Sequence, residues 1–193
     1  MAIVLSAFSL LVASAACGLA LAVALRVKKL LDPLTEEGAL GSRRRFGVVP
    51  EAGETIPQTP PLNDVDGRIV EFPDTGSGPW VLTFQAVGCS GCKEQLPVYK
   101  KFLRDTGLGK ERAFSVVTGD AEGLPFYREE LSDVCRVVPG SEAAADLVKS
   151  LGISVFPTYI LVGDDGTVAF SSQSSARLST SGARFVAPVP TGG

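Results

Sequence analysis

The chain has 193 residues, enough for one compact domain with its own core once a membrane segment is set aside. Its 18 basic and 21 acidic residues leave a formal charge of -3, so no positive excess exists to hold a phosphate backbone, and nucleic acid is not an expected partner. It contains no His, which removes the usual general base, the commonest metal ligand and the Ser/His or Cys/His nucleophile pairs together.

From Ala2 to Leu25 no residue is charged. At ~1.5 Å rise per residue such a helix crosses the ~30 Å hydrocarbon core, so residues 2–25 are expected in membrane lipid and 1–27 read as a single transmembrane signal anchor. The alternative is a cleaved signal peptide with Ala13-Ser14-Ala15 as its small-residue site, but no basic region precedes the apolar run and the run continues well beyond Ala15. Ala15-Ala16-Cys17 loosely resembles a lipoprotein acylation site, with Ser14 where a large aliphatic residue is expected. Unmodified, Cys17 is a small apolar residue in lipid. Residues 28–56 read as a juxtamembrane segment and linker. Its Arg43-Arg44-Arg45 cluster is solvated or faces headgroups, and a Pro/Gly/Thr-rich stretch runs on to about Pro61.

Residues 57–171 alternate between strand and helix patterns. Asp66-Gly67 sets a turn before an extended run from Arg68 to Phe72, and Trp80 to Ala86 suits a buried central strand. Cys89 then opens a helix in which Cys92, Leu96, Tyr99 and Leu103 share one apolar face. Ala113 to Thr118 reads as a second buried strand, Leu124 to Leu131 as a short helix, and Cys135 to Val138 as an extended piece. Ser141 caps a helix running to about Leu151. Ile153 to Val162 is strand-like around Pro157, and Asp165-Gly166 turns the chain into a last strand, Thr167 to Ser171. The order predicts an α/β fold, a mixed β-sheet flanked by helices. Residues 172–193, rich in Ser, Gly, Thr and Pro, are expected to form a flexible C-terminal tail.

Cys is used four times, at Cys17, Cys89, Cys92 and Cys135, too sparsely for a disulfide-stapled secreted domain. Cys89-Ser90-Gly91-Cys92 stands out. A thiol is nucleophilic only as the thiolate, and a helix N-terminus, with unpaired N–H groups worth roughly half a positive charge, favours that form. Cys89 is placed there, directly after a strand and the Ala86-Val87-Gly88 turn. Cys92 lies on the same face and less exposed, so Cys89 is the expected nucleophile and Cys92 the resolving thiol of a redox-active disulfide. Lys93 adds positive potential or is simply solvated. Half of a zinc site is a competing reading of the motif, but Cys135 is the one further sulfur outside the membrane run and there is no His, so no metal is expected. A static disulfide on a binding module is the other. Cys135 itself reads as a buried strand residue.

Pro97 falls inside the helix, where proline costs ~3 kcal/mol, so either a kink is tolerated or the helix assignment is wrong. Strand, C-x-x-C, a helix with Pro five residues past the second Cys, and a later strand entered through Phe156-Pro157-Thr158 together resemble the thioredoxin superfamily. The resemblance spans about Pro57 to Ser171. It implies a thioredoxin-like fold in which Pro157 is the cis-proline facing the sulfurs and the backbone of Phe156 pairs with an extended substrate. Gly88, Phe156 and Pro157 are then the substrate-binding positions. Leu62 to Arg68 and Val162 to Gly166 look most similar to the membrane-anchored TlpA/ResA-like reductases, and Leu30 to Leu40 to the MauD-type accessory proteins. Three positions depart from the pattern. Gly88 stands where many members have Trp, Thr83 where thioredoxin has a buried Asp, and Gln95 where TlpA-like proteins have Glu, so no carboxylate is in place to take the proton from Cys92.

The implied function is a membrane-tethered thiol-disulfide oxidoreductase that exchanges with a protein thiol or disulfide substrate. It needs no cofactor beyond its sulfurs and is reset by a membrane electron donor or acceptor. Two rivals use the same pair: a maturation adaptor or Cu(I)-binding chaperone without redox turnover, and a peroxidase working through Cys89. Sidedness is contradictory. The basic residues all follow the apolar run, which by the positive-inside rule alone puts the domain in the cytoplasm, whereas the resemblance puts it outside.

Overall fold

The computed structural model describes residues 49–75 and 78–186. The apolar run, the arginine cluster and the last seven residues lie outside these, and among the described residues no helix is long and apolar enough to cross a membrane.

The chain enters through a small antiparallel pair, β1 (Leu62–Asn63) and β2 (Ile69–Val70), closed by a turn in which Asp64 Oδ1 accepts the N–H groups of Asp66 and Arg68 at 3.0 and 2.8 Å. The main sheet has five strands: β3 (Trp80–Ala86), β4 (Ala113–Thr118), β5 (Arg136–Pro139), β6 (Thr158–Val162) and β7 (Val168–Ser172), in the order β5-β4-β3-β6-β7. β4 runs parallel to β3 and β5 to β4, whereas β6 is antiparallel to β3 and β7 to β6. Helix α1 (Ser90–Thr106) joins β3 to β4, α2 (Leu124–Leu131) joins β4 to β5, and α3 (Glu142–Ser150) joins β5 to β6.

Alternation along β3 builds two cores. Trp80, Leu82 and Phe84 pack with Phe72, Phe114, Val116 and the α3 residues Ala144 and Leu147, where the Phe72 and Trp80 rings stack at 5.6 Å and Phe114 meets both edge-on. Val81 faces the other way, into a core with Cys92, Leu96, Tyr99 and Leu103 of α1 and Tyr127 and Leu131 of α2. The apolar face expected on α1 is therefore the buried one. The helix runs through Pro97, so the Lys93 carbonyl lacks its usual i+4 donor. It ends at Gly107, whose φ of 66° supplies the left-handed cap. Ser141 caps α3 through the Ala144 N–H.

The structure differs from the sequence expectation at three places. The extended run around Pro157 contributes strand only from Thr158, since proline has no N–H for a ladder. The stretch expected as linker joins the sheet, because Ile56 is buried and Gly53, Glu54 and Ile56 exchange backbone hydrogen bonds with Gly166 and Val168. The expected tail is helical over Ser175–Arg177, Leu178–Gly182 and Ala183–Phe185. Packing outweighs its weak composition: Leu178 is fully buried in the α1-side core and the Phe170 and Phe185 rings stack at 6.0 Å.

β1 and β5 are tied by a buried ion pair, in which Arg136 Nε donates to Asp64 Oδ2 at 2.8 Å and the guanidinium also donates to the Ile69 carbonyl at 3.0 Å. Burial alone would raise the Asp64 pKa, but the Arg68 N–H and the Arg136 guanidinium outweigh it and hold the carboxyl below its usual value. Arg136→Met is expected to cost about 3–5 kcal/mol of unfolding free energy in urea denaturation at neutral pH, by leaving the carboxylate without its counter-charge. With its pKa depressed in the folded state, Asp64 contributes stability that is complete above the ordinary carboxylate range and disappears as pH falls through the lowered value. Asp64→Asn should therefore flatten the acid limb of the stability curve below about pH 4, while remaining less stable than wild type at neutral pH.

Candidate functional site

β3 carries the chain to the C-terminal edge of the parallel strands, where Val87 and Gly88 turn it into α1. Gly88 has φ of 81°, a conformation that side chains disfavour, and a Cβ there would meet nothing within 4 Å. The surface beside Cys89 is thus open at Gly88. Val87 is held by a notch of two glycines: a Cβ at Gly119 would come within 2.9 Å of its side chain, and one at Gly123 within 2.2 Å. The absence of side chains at both lets the β4–α2 connection press against the turn that presents Cys89.

Cys89 is the N-cap of α1, in extended conformation, and its Sγ accepts the N–H of Cys92 at 3.0 Å. The sulfur sits where the unpaired donors and peptide dipoles of a 17-residue helix converge. Cys89 and Cys92 are joined as a disulfide with Cα atoms 5.2 Å apart. The two ends are unlike: Cys89 is half-buried and flanked by exposed Gly88 and Ser90, whereas Cys92 is wholly enclosed. The Phe156–Pro157 peptide is cis, and the Phe156 carbonyl oxygen lies 3.6 Å from Cys89 Sγ. Five residues singled out in the sequence, Gly88, Cys89, Cys92, Phe156 and Pro157, are therefore brought to one place from two segments of the chain. Val155, 38% exposed, leaves an apolar side chain at the surface next to them.

Lys93 is not free in solvent, since its ammonium lies over the Phe126 ring at 4.7 Å and links α1 to α2. Gln95 is committed at both ends of its amide. Its Oε1 accepts the Ser175 N–H at 2.7 Å and its Nε2 donates to the Gln173 carbonyl at 3.4 Å, so it clamps the C-terminal helical segment onto α1. Thr83 is fully buried and its hydroxyl donates to the Phe114 carbonyl at 3.4 Å. Cys135 is a free, fully buried thiol just ahead of β5, and burial first, then the nearby Asp133 carboxylate, push its pKa far up. It is not available as a nucleophile. Among the described residues no three acidic or Cys side chains converge as metal ligands.

Sequence reasoning missed a buried polar layer under the pair. Gln85 of β3, Tyr159 of β6 and Tyr99 of α1 are all fully buried; Gln85 approaches the Tyr159 phenol and Thr83 that of Tyr99, but none of these amide or phenol atoms closes a hydrogen bond of ordinary geometry. The available signal was Gln85 itself, a polar side chain in an otherwise apolar strand.

No protein-family model matches the chain, and neither does any curated protein. Solved structures do match. The thioredoxin domain of a thiol-disulfide oxidoreductase from Bacteroides vulgatus is 23% identical, over 70% of this chain and 98% of that one, with a TM-score of 0.60. StoA from Bacillus subtilis is 17% identical over 65% and 97%, and a thio-disulfide isomerase from Thermus thermophilus 21% identical over 64% and 87%, both with a TM-score of 0.53. At these identities the likeness establishes a thioredoxin-like fold.

Gly123→Ala drives a methyl group into Val87 and is expected to cost about 1–3 kcal/mol, read as a lower urea midpoint, together with an altered alkylation rate at Cys89. Gly109→Ala, where a Cβ meets open space, should leave both unchanged.

Proposed function

We propose that this protein is a thiol-disulfide oxidoreductase in which Cys89 attacks and Cys92 resolves. The observation that carries the reading is the capping hydrogen bond from the Cys92 N–H to Cys89 Sγ. The same donor and the helix dipole that hold the sulfur in the disulfide stabilise its negative charge when the bond is open. The half-buried position of Cys89 gives a partner access to that sulfur, and the enclosure of Cys92 keeps the second thiol from competing for it.

Exchange then runs in two displacements. The Cys89 thiolate attacks a client disulfide, forms a mixed disulfide and expels one client thiolate. Cys92, three residues along the helix, attacks Cys89 Sγ and releases the second, leaving the Cys89–Cys92 disulfide and a client reduced by two electrons. The reverse sequence oxidises a dithiol client. The exposed Val155 and the Phe156 backbone beside Cys89 suit an extended polypeptide, so the substrate is a protein thiol or disulfide.

The finer assignment rests on the sequence. The uncharged run from Ala2 to Leu25 supports a single-pass anchor, the resemblance supports a TlpA/ResA-like or MauD-type protein, and on the resemblance, against the basic residues that follow the run, the domain works outside the cytoplasmic membrane and exchanges electrons with a membrane partner. Protease cleavage between residues 41 and 61 in intact cells is expected, and protection would place the domain inside.

Brief iodoacetamide labelling of reduced protein near neutral pH should modify Cys89 at least about tenfold faster than Cys135 by mass spectrometry. Cys92→Ser should strand the client as a mixed disulfide that reducing agent releases, and Cys89→Ser should trap little. A folded Cys92→Ser protein that captures no more than the double mutant is not an exchange enzyme, and a copper-binding or adaptor role would take over.

A further inference from the structure

The resolving thiol of such a pair must lose its proton inside the protein, and a carboxylate is the simplest group to help it. Among the described residues no buried carboxylate is placed to do so. The two buried charged residues among those described, Asp64 and Arg136, are bound to each other near β1 and β5. Thr83 and Gln95, at the positions where a carboxylate would be expected, already spend their hydrogen bonds on Phe114 and on the C-terminal segment. The titratable groups in the core around Cys92 are Tyr99 from α1, Tyr127 from α2, Tyr159 from β6 and the Cys135 thiol, with Cys89 at its edge. Tyr127 is occupied, donating to the Ala86 carbonyl at 2.8 Å.

Of the groups in this layer that close no ordinary hydrogen bond, Gln85 and Tyr159 stand toward the Pro157 end of β3 and β6, whereas Tyr99 lies two turns beyond Cys92 on α1. Gln85 follows Phe84, which is paired with Thr158, so it stands at the end of β3 beside Pro157. It shares its strand face with Val81, the face toward α1. Its amide, together with the Ser175 hydroxyl, reaches toward the Tyr159 phenol, yet neither the Gln85 amide nor that phenol closes an ordinary hydrogen bond. Tyr159 packs in the same core as Cys92, its ring 5.2 Å from that of Tyr99 on the Cys92 face of α1. Burial raises the Tyr159 pKa, so the phenol keeps its proton and remains a donor. Buried donors without partners are uncommon in folded proteins because each forgoes the hydrogen bond it would make in water. Other such groups, Trp80 and Ser132 among them, lie elsewhere in the fold; Gln85 and Tyr159 are set apart by standing at the strand ends beside Pro157 and on the side of the sheet that holds Cys92, where the other redox state supplies a partner.

We propose that Gln85 and Tyr159 are positioning residues for Cys92: when the disulfide opens, the Gln85 amide N–H and the Tyr159 hydroxyl donate to the Cys92 sulfur and hold it as a thiolate. The assignment rests on the oxidoreductase reading. With a client joined to Cys89, the Cys92 S–H proton passes to solvent base and the charge stays on sulfur between these donors. Cys92 Sγ then bonds to Cys89 Sγ, the Cys89–client bond breaks, and its electron pair leaves on the client sulfur, which takes a proton from water. The buried Cys135 thiol shows what this interior does to a sulfur without such donors, since its pKa is pushed far up. Donors that pair only with the thiolate also favour the reduced form, which makes the couple more oxidising.

The test uses the full reduced chain and Ellman's reagent, an aromatic disulfide whose thiolate product is coloured. A fast phase reports attack by Cys89, and a second phase, read against pH, reports resolution by Cys92. Tyr159→Phe and Gln85→Leu are each expected to slow the second phase about tenfold at neutral pH and to move its midpoint upward by about one pH unit, with the first phase unchanged. Equilibration with glutathione should shift about tenfold toward the disulfide, or about 30 mV. Tyr99→Phe, which deletes a buried hydroxyl further along α1, should do neither. If the wild type shows no second phase, the oxidoreductase reading itself fails. If the wild type shows both phases and the two variants keep its midpoint and its glutathione equilibrium, or Tyr99→Phe moves them equally, only the Gln85–Tyr159 assignment falls.

Discussion

Strand β3 is enclosed on both faces and hydrogen-bonded along both edges, and the rest of the fold is arranged to keep it so. Parallel pairing with β4 runs from Val81 to Ala86 on one side, and antiparallel pairing with β6 runs from Trp80 to Phe84 on the other. Its alternate side chains must satisfy two different layers, an aromatic one against α3 and a mixed one under α1. A strand held this firmly fixes where its end points. That end is the Val87–Gly88 turn, and the helix start follows directly, so the cysteine pair is placed by the buried central strand rather than by a long loop.

The mixed layer is where the fold departs from simple hydrophobic burial. Thr83, Gln85, Tyr99 and Tyr159 put polar atoms into the interior under the disulfide, where an apolar residue of similar shape would pack as well and pose no hydrogen-bonding problem. Polar groups retained at such a place mark chemistry more often than stability. The opposite layer is built on the Phe72, Trp80 and Phe114 rings, its buried polar atom there being the Trp80 indole N–H, and Phe156 of the cysteine site packs against it.

How much of this was legible in the sequence follows the range of the interactions. The bounds of β3, β4 and α2 were readable to the residue, because composition and turn residues mark both ends of each. The convergence of Cys89, Cys92 and the Phe156–Pro157 loop was legible through resemblance, since two short motifs encode it. What escaped depends on partners far apart in the chain. Gln95 meets Ser175 across 80 residues and Arg136 meets Asp64 across 72, and nothing local in either segment announces the other. The helical C-terminal segment was hidden for the same reason: Ser, Gly and Thr encode it weakly, and it is held by the buried Leu178 and the clamp from α1.

Both outer edges of the main sheet are occupied by non-strand backbone. Along β7, the segment around Gly53 and Glu54 takes up the Val168 groups and Ser171 donates its hydroxyl to the Pro50 carbonyl. On the β5 side, the Val65 N–H reaches the Val137 carbonyl. Among the described residues, these contacts take up part of the ladder that each outer strand would otherwise present to a neighbouring molecule, and so oppose edge-to-edge pairing between copies of the chain. The protection belongs to segments that look like mere connections in the sequence. Trimming the chain back to the first regular strand would therefore remove Ile56 from the core and bare the β7 edge together.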